Sequence, residues 1–87
     1  MLKKVFDLII DNRLKFYSLA FKSIDNKKSL YLEKNNDKIY YFIIINDRIN
    51  EIGKIDYIKP FIDKNYINGN FKVNKDNYLL TNFKLEC

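Results

Sequence analysis

Asp7 and Asp11 are the residues of this 87-residue chain most readily cast in a chemical role, because carboxylates four apart would share one face of a helix, as a metal-binding pair might. Lys3 and Lys4 gather on the same face, so a solvated charged surface is the simpler expectation. Other chemistry finds less support. The chain contains no His, which removes Ser-His and Cys-His nucleophilic sites and the commonest transition-metal ligand. Its single cysteine, Cys87, is the last residue of the sequence, a poor place to hold a catalytic thiol. Gly53 and Gly69 are the only glycines and stand apart, so no Gly-rich phosphate loop can form. Asp56 and Asp63 make no metal signature. The expectation is a protein that is not an enzyme and uses no metal or cofactor.

A net charge of +5 invites a nucleic-acid reading, but composition discounts it. Fourteen of the sixteen basic residues are Lys, beside twelve Asn and thirteen Ile against one Ala, which is what A/T-rich codons encode. Arg, the residue of bidentate phosphate and guanine contacts, occurs only at Arg13 and Arg48. The excess is uneven: residues 1–34 hold eight basic and four acidic side chains, residues 35–87 eight and seven. Any electropositive face should come from the first third.

The stretch KIYYFIIIND holds seven apolar or aromatic residues in a row, Ile39 to Ile45. A spanning helix needs roughly 20, so the run belongs in a core rather than a membrane. The basic start MLKKVFDLII is interrupted by Asp7 before it becomes a signal-peptide core. With one unpaired cysteine besides, a cytoplasmic protein is expected.

Turn signals fall at Asp11-Asn12, Asp25-Asn26, Asn35-Asn36-Asp37, Asn46-Asp47, Asn68-Gly69 and Asp76-Asn77. The stretches between most of them are rich in Ile, Tyr and Phe, the pattern of strands on short connections. The N-terminus differs, since Leu2, Val5, Phe6 and Ile9 recur at helical spacing. Continuing that helix past Asn12 would put Arg13 in the apolar stripe; this favours a break and a strand in RLKFYSLAFKS over one helix from 2 to 22. The expected fold is α+β: one domain over 1–87, with an N-terminal amphipathic helix packed on a mainly antiparallel sheet of about five to six strands. In the second half we expect a strand over 48–52, a helical turn over 60–65, a hairpin on Asn68-Gly69, and an edge strand in YLLTNFKLE with Leu79, Thr81, Phe83 and Leu85 on one side.

SLYLEK and KIYYFIII flank Asn35-Asn36-Asp37, a three-residue connection that sets Leu32 against Tyr40 and Leu30 against Phe42. Ile44 joins that face, making Phe42 and Ile44 core residues; the opposite face then carries Tyr31, Ile39, Tyr41 and Ile43 beside Glu33. A strand apolar on both faces is normally central and covered twice. Two readings of the second face stay open: cover from the C-terminal half, or exposure as a docking patch.

Two binding functions follow. In the first, a small protein-binding module docks on another protein through Tyr31, Ile39, Tyr41 and Ile43. In the second, a small basic nucleic-acid-binding protein uses Lys22, Lys27 and Lys28 for phosphates and Tyr31 for base stacking. The first is preferred, because the lysine excess already has a compositional cause. Small size and catalytic bareness fit a phage or mobile-element inhibitor of a host defence enzyme, of the anti-CRISPR kind, acting by steric blocking. They fit equally an antitoxin or a small subunit of a larger complex.

Overall fold

In a computed structural model that describes residues 2–63, 70–73 and 75–86, the chain begins with helix α1 (Leu2–Ile10). Val5, Phe6 and Ile9 are buried while Lys4 and Asp7 point to solvent. Asn12, at φ 58°, takes the left-handed conformation that stops a helix, and its N–H still reaches the Ile9 carbonyl at 3.1 Å. After Leu14 enters the core, strand β1 (Phe16–Ser23) follows, so residues 16–22 are strand and not continued helix.

Strands β2 (Lys28–Asn35), β3 (Lys38–Ile45) and β4 (Arg48–Ile55) follow as a meander. A single turn of helix, α2 (Ile58–Phe61), leads to β5 (Ile62–Asp63), then β6 (Asn70–Val73) and β7 (Asp76–Glu86). The sheet runs β4-β3-β2-β1-β7-β6-β5 and every described pairing is antiparallel. Seven strands therefore stand where five or six are expected, and one of them, β5, has only two residues.

One face of this sheet forms the core. Tyr17, Leu19 and Phe21 of β1, Leu30 and Leu32 of β2, Ile39 and Ile43 of β3, and Tyr78 of β7 are buried there. Phe71 joins them from β6 and ties the layers together: its ring lies 5.3 Å from Phe6 of α1 and 5.2 Å, edge-on, from Phe21. Burial of Leu30 and Leu32 alone is worth about 1.5–3 kcal/mol each.

Several expectations need correction. The β2–β3 connection has two residues, not three: Asn35 pairs with Lys38, and Asn36 carries the left-handed φ of 58°. Leu32 consequently faces Tyr41 and Leu30 faces Ile43, while Tyr31 faces Phe42. Because side chains alternate, that single-residue slip exchanges the two faces of β3. Ile39, Tyr41 and Ile43 look into the core, and Phe42 and Ile44, read as core residues from the sequence, lie on the other face, half-buried. Among the described residues, strand β3 has a neighbour on each side but cover on one face only.

Gly53, just past the strand expected over 48–52, lies inside β4, which runs on to Ile55. Strand β7 is not an edge: β1 and β6 flank it, and the edges are β4 and β5. A register shift opposite Ala20/Phe21 leaves Thr81 as an extra residue, so Leu79 pairs with Lys22 on one face while Phe83 and Leu85 pair with Leu19 and Tyr17 on the other, and the expected alternation from Leu79 to Leu85 is broken. The helical turn ends at Phe61, ahead of the expected 60–65; positions 64 and 65, the Asn68-Gly69 turn and Cys87 lie outside the described residues. No helix among the described residues is long and apolar enough to cross a membrane.

Candidate protein-docking face

The second face of the sheet is built by alternation. Cross-strand pairing sets Ile52, Phe42, Tyr31, Ala20 and Asn82 in one row across β4, β3, β2, β1 and β7. A parallel row holds Ile49, Ile44, Ser29, Lys22 and Leu79, and another Lys54, Tyr40, Glu33, Ser18 and Lys84. Ile49 and Ile52 are each 59% exposed and Tyr31 39%. The apolar part of the face lies over β4, β3 and β2, and lysines fringe it.

Ile49 and Ile52 occupy the same face although they are three apart, because Asn50 is an extra residue opposite the Ile43/Ile44 step. The bulge places Glu51 beneath the sheet, where it accepts a hydrogen bond of 2.6 Å from the Tyr41 hydroxyl. That bond, followed by partial burial, raises the Tyr41 pKa above the usual tyrosine value. Gly53 pairs with Tyr41, whose ring occupies the space a side chain would need, and Phe61 packs on the ring at 4.7 Å. The core side of β3 and β4 is thus filled, and the apolar excess of these strands is left on the open side.

Of the residues expected to bind a partner, only Tyr31 is on the open face. Ile39 and Ile43 are buried and Tyr41 is half-buried against Phe61. Of the nucleic-acid set, Lys22 and Tyr31 share the open face, where Lys22 donates to Ser29 Oγ at 3.4 Å. Lys27 is exposed in the β1–β2 turn, which Asp25 organises by accepting from Ser23 Oγ at 2.7 Å and from the Lys27 N–H at 3.1 Å. These bonds hold the Asp25 carboxyl below its usual pKa. Lys28 points away and bonds Asp76 at 2.9 Å, which raises its pKa. The four residues do not form one surface.

Sequence reasoning missed Tyr40, Phe42, Ile44, Ile49 and Ile52. The signal that could have found them is turn length: two-residue connections are the commonest in hairpins, and Asn36-Asp37 supplies one without Asn35. The Asp7 and Asp11 side chains are both exposed, and Asp11 lies 3.7 Å from Arg13. No group of three or more possible metal-ligating side chains occurs among the described residues.

Two shallow hollows indent the open face along β1, where Ser18 and Ala20 are small. One, of about 330 Å³, lies among Phe16, Ser18, Glu33, Tyr40, Lys84 and Glu86. The other, of about 260 Å³, lies among Ala20, Tyr31, Asn82 and the shared Ser18, Glu33 and Lys84. Comparison with protein-family models, with curated proteins and with solved structures found no match.

Proposed function

We propose that this chain is a small non-enzymatic protein-binding module whose docking face is the open side of β4, β3 and β2. The observation that carries this reading is the cluster of Ile49, Ile52, Phe42, Ile44 and Tyr31, uncovered among the described residues, with Ile49 and Ile52 each 59% exposed. Contiguous exposed apolar surface on a small domain marks an interaction site. Two aromatic residues among aliphatic ones, ringed by polar side chains, are the composition of an interface centre with its rim. A cytoplasmic inhibitor of a host defence enzyme, working by steric blocking, needs no more than such a face. An antitoxin or a small subunit could use the same one.

Binding to nucleic acid is the second reading, favoured by the placement of Lys22 and Tyr31 on one open sheet face. Salt separates the two. Phosphate contacts from three or four lysines give a slope of log affinity against log salt of roughly −2 to −4, whereas an apolar interface depends weakly on salt. The test measures binding of the chain to an unstructured oligonucleotide at about 0.15 M salt. The docking reading predicts no submicromolar binding there; submicromolar binding that is lost when Lys22, Lys54 and Lys84 become Gln would overturn it.

A further inference from the structure

Glu33 lines both hollows of the open face, and its carboxylate has no hydrogen bond or ion pair among the described residues. Pairing places Tyr40 directly across from it on β3 and Ser18 across from it on β1, with Tyr31 two residues along its own strand. Phe16 completes the wall of the larger hollow, at 37% exposure. The other charged side chains facing this hollow are Lys84 and Glu86, which lie 3.7 Å apart and offset each other. Lys34 is no counter-ion: its side chain is buried on the opposite face and bonds Asn12. Lys54 stands on the far side of Tyr40. A protein of net charge +5 therefore keeps one unpaired carboxylate among three aromatic rings on its open face.

We infer that this hollow receives the guanidinium of an arginine side chain presented by the protein partner. A guanidinium is flat enough to stack on Tyr40, Phe16 or Tyr31 and carries paired donors for a carboxylate, so it answers both features of the hollow at once. Lysine matches the charge but not the flat, forked geometry. A phosphate or a carboxylate would meet Glu33 unscreened. The inference rests on the docking reading and adds the chemistry of the partner: a basic anchor at the β1 end of the face, beside the apolar contact over β4 and β3.

The test titrates the full chain with the blocked peptide acetyl-Gly-Arg-Gly-amide and, separately, with its neutral citrulline analogue, reading backbone amide NMR shifts. Saturable shifts at Ser18, Glu33 and Tyr40 are expected for the arginine peptide, with the citrulline peptide and the Glu33→Gln variant each weaker by about tenfold or more. Glu33 is exposed, so the variant's amide spectrum should otherwise superpose on that of the parent. Absence of shifts, equal shifts for both peptides, or binding retained in Glu33→Gln overturns the inference. So does a thymidine oligonucleotide that shifts the same residues and binds Glu33→Gln more tightly. If Ile52→Lys abolishes partner binding while the arginine titration fails, only the inference falls; a normal titration beside a harmless Ile52→Lys supports the hollow and sinks the docking reading alone.

Discussion

Tyr31 stands directly across from Phe42 on the open face of the sheet, and Leu30 stands across from Ile43 on the buried one. This register decides which substitutions are costly. Leu30 is fully buried, so Leu30→Ala should cost about 2–5 kcal/mol. Phe42 is half-buried on the uncovered side, and Phe42→Ala should cost no more than about 1.5 kcal/mol. Urea denaturation of both variants checks the pair; a larger loss from Phe42→Ala than from Leu30→Ala would mean the register is wrong.

Gly53 should not tolerate a side chain. A Cβ there would sit 2.6 Å from the Tyr41 hydroxyl oxygen, and that ring is held by Glu51 on one side and Phe61 on the other. Gly53→Ala should destabilise by about 1–3 kcal/mol. The Tyr41→Ala background makes room, so adding Gly53→Ala to it should cost much less. Equal costs in both backgrounds, measured by thermal unfolding, would remove the ring as the cause.

Lys34 is 6% exposed on the core face, between Tyr17 and Ile39, and its amine donates to Asn12 Oδ1. Burial lowers its pKa; the folded state thus binds the proton less tightly than the unfolded state. A group shifted in this direction penalises folding below its depressed pKa, and the penalty fades as pH rises toward the unfolded value of about 10.4. Lys34→Met should therefore raise stability by about 1 kcal/mol near pH 7. The advantage over the parent chain should shrink toward pH 10, and denaturant midpoints across that range give the comparison. A destabilising Lys34→Met would show that the Asn12 bond outweighs the burial of charge.

The turns were the most legible part of the sequence. Among the described residues, the five non-glycine ones with positive φ, Asn12, Asn26, Asn36, Asn46 and Asp47, all fall within Asn/Asp clusters that mark turns by residue type alone. The inward face of β2 was equally clear, because Leu30 and Leu32 alternate with Tyr31 and Glu33. Strand β3 offers no such alternation: Ile39 to Ile45 is apolar throughout, so only the length of its turn could say which side faces inward. The extra residues Asn50 and Thr81 show only in the pairing of β4 with β3 and of β7 with β1, and leave no local mark. Gly53 reads as a strand break until Tyr41 is seen to fill its place, and a lysine in the core, Lys34, contradicts the residue statistics that sequence reading relies on.

The central claim, that the open face docks a protein, is tested most directly by the affinity of the chain for the protein that co-purifies with it from its native host. Ile52→Lys puts a charge into the apolar row without touching the core, so it should weaken that affinity by about tenfold or more and leave the melting midpoint unchanged. Asp7→Ala, on the exposed side of α1, serves as the control and should change it by less than about twofold. An Ile52→Lys variant that binds as tightly as the parent chain would contradict the claim.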